Sequence, residues 1–213
     1  MRHGPEYTEV QKPALELLRD HFGYTYLPGE ELDEERSSEA EVLLVDRLSR
    51  KLKEINPGLT DAGVRQAIDA LRQPLAKGLM DANEVCHHLL SRWVTADEFE
   101  GGKPVNRSVR YFDYDNPENN EFLVVDELRV KGPRTPRRLD VGIFVNGIPL
   151  VSIECKEPGD SHGIAKAVSD LLAYQESEEG VVRLYHTILL CVALKKWDAQ
   201  YGAVLTPLNR YAH

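Results

Sequence analysis

The 213-residue sequence predicts an α/β fold: a mixed central β-sheet flanked by helices, with additional helices on its N-terminal side. Three observations carry that expectation. Up to Trp93, apolar residues recur at helical spacing. After Gly101-Gly102, β-branched and aromatic residues gather into short runs. Those runs lead into one helical stretch and then an almost unbroken apolar run, the mark of a strand buried on both faces.

Taken in order, Thr8 with Gln11 has capping-box spacing, and Leu15, Leu17, Leu18 and Phe22 give the first helix an apolar face that Gly23 closes. The acidic run from Glu30 reads as a solvated loop. A second capping box, Ser38 with Glu41, opens a helix carrying Leu44, Leu48, Leu52 and Ile55 until Asn56-Pro57-Gly58 stops it. Being amphipathic, that helix is expected to pack on the sheet. Two more helices follow, Asp61 to Leu75 through Val64, Ile68 and Leu71, and Ala82 to Trp93 through Val85, Leu89 and Leu90 with Asp81 as cap. Strands are expected from Ser108 to Tyr114, Phe122 to Val130, Arg138 to Val145 and Leu150 to Cys155. A helix is expected from Gly163 to Gln175, and the buried strand from His186 to Ala193. The chain is expected to be one domain, with an N-terminal helix and acidic loop (1–36), a helical part packed on the core (37–107), and the sheet with its helix (108–205).

Composition narrows the function classes. With 26 Lys and Arg against 35 Asp and Glu the net charge is −9, which argues against a uniformly basic nucleic-acid-binding coat. Distribution matters more: seven acids lie between Glu30 and Glu41, and five bases with no acid between Arg129 and Arg138. No apolar run reaches the length of a membrane helix. The start, Met1-Arg2-His3-Gly4-Pro5-Glu6, has no apolar stretch behind its basic residue, so a cytoplasmic chain without a secretory leader is expected. Cys86, Cys155 and Cys191 are too far apart for a CxxC zinc site and read as reduced packing residues.

The stretch from Leu139 to Lys156 carries chemistry. Asn146-Gly147 between two apolar runs signals a hairpin. In its second strand, alternation sends Val151, Ile153 and Cys155 to one face and Ser152, Glu154 and Lys156 to the other. Loop length decides whether Asp140 joins them. A two-residue turn pairs Val145 with Ile148 and sets Asp140 opposite Ile153, on the wrong side. A three-residue loop with a G1 bulge pairs Phe144 with Ile148 and sets Asp140 opposite Ser152, diagonal to Glu154. The second register is expected, because it also buries Leu139, Val141, Ile143, Val151 and Ile153 together. Two carboxylates beside a lysine suit Mg²⁺ and the hydrolysis of a phosphodiester, with Lys156 orienting or deprotonating the attacking water. The competing reading is a Glu and a Lys on an ordinary solvated strand face, but unpaired charge inside such apolar strands is costly.

From Arg137 to Lys156 the sequence resembles the nuclease signature of the R subunit of type I restriction endonucleases, a branch of the PD-(D/E)xK nucleases. Asn119 to Val125 is similar to the strand before that signature, and Ala167 to Tyr174 to the helix after it. The resemblance implies a restriction-endonuclease-like core in which Asp140, Glu154 and the backbone carbonyl of Cys155 ligate Mg²⁺ and Lys156 is the catalytic lysine. Leu139 replaces the family's proline. Tyr174 meets the QxxxY element, but Asp170 stands where Gln is expected. An accessory acid from the first core helix would be Glu41 or Asp46. No GxxxxGK[ST] loop is present, so ATP belongs to motor domains outside this chain, which looks like a fragment of a larger subunit. The implied partners are double-stranded DNA and the methylation and specificity subunits of a restriction complex. Two alternatives stand beside this: a noncatalytic DNA-binding or docking module with a nuclease-like fold, and a stand-alone repair or recombination nuclease.

Other residues weigh less. His87-His88 point about 100° apart on a helix and read as surface or packing residues, and His162 is a weak candidate for DNA contact. Trp93 and Trp197 read as packing anchors. Arg134, Arg137, Arg138 and Lys195-Lys196 are candidate phosphate contacts.

Overall fold

Six strands form one mixed sheet in the order β1-β4-β5-β6-β7-β8, and a separate two-stranded hairpin joins β2 to β3. The computed structural model describes residues 4–213, so Met1, Arg2 and His3 of the N-terminal stretch considered above lie outside the described residues. The strands are β1 (Thr25–Pro28), β2 (Val94–Glu100), β3 (Lys103–Val109), β4 (Phe122–Lys131), β5 (Pro136–Val145), β6 (Ile148–Cys155), β7 (Leu190–Lys195) and β8 (Asp198–Gly202). β4, β5 and β6 run antiparallel, while β1 joins β4 and β7 joins β6 in parallel. A mixed sheet flanked by helices is the fold class the sequence predicts. Among the described residues no helix is long and apolar enough to cross a membrane.

A helical segment over 5–21, α1, opens the chain, with α-helical Lys12–Glu16 between wider π-helical turns at Tyr7–Gln11 and Leu17–His21. Thr8 lies inside this segment rather than at its cap, and its Oγ1 donates to the Gly4 carbonyl at 3.2 Å. The acidic run is not a loop: it folds as α2 (Gly29–Glu35) because Leu32 is fully buried, and Glu35 is held by both Nε and Nη2 of Arg47. The next helix, α3 (Val45–Ile55), starts later than the Ser38–Glu41 box implies. Glu41 is taken by the Leu43 amide at 3.1 Å and by Arg72 at 2.6 Å. The chain is instead fixed ahead of α3 by the Leu44 amide donating to the Gly147 carbonyl at 2.9 Å. Helices α4 (Asp61–Arg72), capped by Thr60, and α5 (Leu79–Ser91) follow as expected, although α5 starts before Asp81. Gly101-Gly102 proves to be the tip of the β2–β3 hairpin, with both φ angles positive, and the strand expected to run to Tyr114 ends at Val109.

The β5–β6 hairpin corrects the expected register. Asn146 and Gly147 take φ values of +52° and +82°, so the turn has two residues and pairs Val145 with Ile148. Left alone, that pairing would set Asp140 on the wrong face. It does not persist: Phe144 pairs with Pro149 but Ile143 pairs with Val151, which leaves Leu150 as an extra residue, a β-bulge in β6. Beyond the bulge Val141 faces Ile153, and the next step of the ladder brings Asp140 opposite Glu154. The bulge restores the parity that the turn would have destroyed.

Both faces of the sheet are covered. On one, Val124, Val141, Ile153 and Cys155 meet Val10 and Leu15 of α1, with Ile143 and Val151 packed against them. On the other lies the larger core, where Leu48 and Leu52 of α3 and Val168 and Leu171 of α6 (Gly163–Ala173) join Leu123, Val125, Phe144 and Ile148. The two fully buried leucines of α3 contribute about 1.5–3 kcal/mol each. Leu139, expected beside Val141, belongs to this larger core. The alternation of β4 reverses at Glu127, a non-glycine residue with φ +52°, so Leu128 and its partner Leu139 turn to the other face.

Candidate active site

Asp140 sits on β5 at the point where that alternation reverses, and both of its neighbours across the sheet are acids. Glu154 lies opposite on β6, and the β4 register sets Glu127 opposite on the other side. All three are buried. The Cys155 amide donates to Asp140 Oδ2 at 2.7 Å, so the strand that carries Glu154 also orients Asp140. Gln11 of α1 donates to the Asp140 carbonyl at 2.9 Å and to Glu127 Oε1 at 3.3 Å. The helix on the far face is thereby tied to the site.

Alternation in β6 holds as the sequence implied, with Cys155 turned to the α1 face and Glu154 and Lys156 to the α6 face. The Lys156 ammonium donates to Glu154 Oε1 at 2.7 Å and lies 2.8 Å from Asp170 Oδ2 on α6. Burial by itself would lower this ammonium. The carboxylate of Glu154 and the hydrogen bonds to Asp170 and Glu154 outweigh burial and hold it above its ordinary value. Glu154 is only 4 % exposed, and burial, then the Asp140 charge, push its carboxyl up to about 8 despite Lys156. Its second oxygen, Oε2, is buried with no hydrogen-bond partner among the described residues. Tyr174, one turn beyond Asp170, donates to the Arg138 carbonyl at 3.4 Å. Its hydroxyl is raised by burial and then by the carboxylates of Glu154, Asp140 and Asp170.

The donor set fits a hard divalent cation. Two adjacent carboxylates, one with a buried oxygen that nothing else satisfies, are what Mg²⁺ uses when it keeps several waters. Among the described residues no group of three or more His, Cys, Asp or Glu side chains is arranged to hold a metal.

The other sequence candidates lie differently. Glu41 and Asp46 line a cavity with Arg36 and Arg72, apart from Asp140 and Glu154. The acid that α1 brings toward the site is Glu6, whose carboxyl is raised by burial and then by Asp140, with Lys156, Glu157 and Asp170 also acting on it. Arg134 pairs with Glu178 and Glu179, Arg137 donates to the Glu179 carbonyl at 3.0 Å, and Arg138 lies 2.6 Å from Glu127. All three are thus engaged within the chain. Trp93 and Trp197 are not packing anchors: they are 53 % and 92 % exposed. The three cysteines are buried and free, as expected. Sequence reasoning missed Glu127, Gln11 and Glu6. Only the docking of α1 on the sheet brings the last two close, and the apolar spacing of Val10, Leu15 and Leu18 was the available signal.

Comparison with known proteins gives the family. Residues 5–210 match the family model described as the type I restriction enzyme R protein N terminus. The chain is 26 % identical over 208 residues to a putative type I restriction enzyme MjaIXP endonuclease subunit of Methanocaldococcus jannaschii, covering 95 % of this chain and 20 % of that protein. It is 25 % identical over 175 residues to the type I restriction enzyme HindI endonuclease subunit of Haemophilus influenzae, covering 79 % of this chain and 16 % of that one. The chain thus spans a fifth or less of the length of these relatives. With the family model covering nearly its whole length, the chain belongs to the type I restriction enzyme R protein N-terminal family.

Proposed function

We propose that this chain hydrolyses phosphodiester bonds of duplex DNA with Mg²⁺ held by Asp140 and Glu154, as the nuclease part of a type I restriction R subunit. The ATP-driven motor of that subunit would lie outside these residues, and the methylation and specificity subunits would complete the assembly. One observation carries the reading: two carboxylates face each other across β5 and β6, and a buried oxygen of one has no hydrogen-bond partner among the described residues. Such an oxygen is costly in a purely structural site. With the Cys155 carbonyl as a further oxygen ligand, a bound Mg²⁺ would lower the pKa of a water and offset charge on the phosphoryl group.

The chain's own residues supply the rest. Glu154 and Asp170 take two of the three protons of the Lys156 ammonium, and the third remains for a water or a phosphate oxygen. With its ammonium held between two carboxylates, Lys156 would orient the attacking water and offset phosphoryl charge. The Cys155 amide fixes Asp140 and Asp170 fixes the lysine, and Glu6, whose carboxyl feels the Asp140 charge, would join Glu41 and Asp46 as a candidate accessory acid.

Mg²⁺ titration tests this directly. At about one hundred times its dissociation constant, Mg²⁺ should stabilise the wild-type chain by about 2.7 kcal/mol in thermal or urea unfolding, and should leave Asp140→Asn unmoved. In the assembled complex the same variant should lose DNA cutting and keep ATP hydrolysis. An equal Mg²⁺ response in both proteins would sink the reading.

A further inference from the structure

The carboxyl ends of β6 and β7 lie together, as at the ligand-binding edge of open α/β sheets. Their parallel register, Cys155 with Leu194, runs one step further and sets Lys195 beside Lys156. Both lysine stems pass over Gly163, where a Cβ would lie 3.2 Å from Lys156 Cβ and 2.9 Å from Lys195 Cδ. The Lys195 ammonium donates to the Asp160 carbonyl at 3.2 Å and makes no carboxylate pair among the described residues. Lys195 is also the last residue of β7, and its backbone pairs with that of Asp198 across a two-residue turn made of Lys196 and Trp197. Lys196 is held left-handed, at φ +49°, and lies 3.3 Å from Glu9 of α1. Trp197 stands at the tip, 92 % exposed. A large apolar ring almost wholly in water does nothing for the core.

We propose that this hairpin tip is a DNA-contacting finger. Trp197 packs on the sugars and base edges that flank the scissile phosphate, and Lys195 and Lys196 meet neighbouring phosphates. The proposal rests on the nuclease reading for its substrate, and it adds a second contact to the arginines from Arg134 to Arg138, whose ion pairs lie at the surface. Two features favour nucleic acid as the occupant: the tip starts at the residue beside Lys156, and it joins two ammonium groups to an apolar ring, the pairing that binds phosphates and stacks on bases.

Binding of this chain to a short fluorescent duplex, with Ca²⁺ in place of Mg²⁺ to prevent cutting, tests the finger. Trp197→Ala should weaken binding about tenfold, and Trp197→Phe should retain affinity within about threefold. Lys195→Gln should lower the slope of log affinity against log salt by about one. Thermal unfolding of Trp197→Ala should match wild type, since its side chain is almost wholly exposed. The proposal is overturned if Trp197→Ala binds as well as wild type, or if wild type binds no duplex. It is also overturned if Trp197 of the full-length subunit is shielded from acrylamide before DNA is added, which would point to a contact inside the longer chain. Asp140→Asn separates the two readings: unchanged cutting and Mg²⁺ response in that variant would remove the nuclease reading, while Trp197-dependent binding would stand.

Discussion

Glu154→Gln removes a carboxyl that burial and the Asp140 charge push from an ordinary 4.5 to about 8. Between those limits the folded chain holds a proton that the unfolded chain has released. Its contribution to stability is therefore fully present below about pH 4.5 and is lost as pH rises through about 8. At about 1.4 kcal/mol for each tenfold difference in proton affinity, the full interval amounts to a loss on the order of 5 kcal/mol. The variant forgoes the ion pair with Lys156 only where Glu154 is ionised, an attraction already contained in the shifted carboxyl, while Asp170 still anchors the lysine. Urea unfolding of both proteins in EDTA, at several values between about pH 5.5 and pH 8.5, should show wild type losing stability against the variant by roughly 3 kcal/mol or more. At the alkaline end the variant should be the more stable protein. Saturating Mg²⁺ should reverse that order, because it binds the ionised carboxylate. Parallel pH profiles for the two proteins would refute the account of Glu154 as a buried, poorly satisfied charge.

Two further substitutions probe the frame around the site. Gly147→Ala places a Cβ 2.7 Å from the Leu44 carbonyl at a φ of +82°, so urea unfolding should show a loss of about 2–3 kcal/mol. Asp170→Asn leaves Lys156 with Glu154 as its one carboxylate partner among the described residues, and the cutting rate of the assembled complex should drop about tenfold at unchanged DNA affinity. Recovery of part of that rate in Asp170→Glu would mark Asp170 as a positioning residue, and an equal loss of affinity would argue for a structural role instead.

Much of this architecture is legible in the sequence because it is periodic. Helical spacing locates α3, α4, α5 and α6, and alternation locates β4, β5 and β6 and the faces of Ser152, Glu154 and Lys156. What escapes is set by tertiary contact. Leu32 turns an acidic run into a helix by burying one side chain, and nothing local announces it. The β2–β3 hairpin is polar on much of its length, so its strands lack an apolar signature. Within the site, the motif supplies Asp140, Glu154 and Lys156, yet the register argument chose the wrong loop. Turn chemistry favours two residues at Asn146-Gly147, and the compensation comes from Leu150, an apolar residue that carries no mark of irregularity. Asn146 adds a further reason for the turn, since its buried amide donates to the Tyr111 carbonyl at 2.9 Å and to Asn120 Oδ1 at 2.8 Å.

The single supernumerary residue in β6 has a consequence for how this hairpin can change in length. Each added or deleted position between the two acids exchanges inside for outside, so odd changes separate them and even changes keep them together. Relatives whose interval differs by one should therefore carry a compensating irregularity elsewhere in the same hairpin, and an inserted residue placed opposite Leu150 should be tolerated far better than one placed alone.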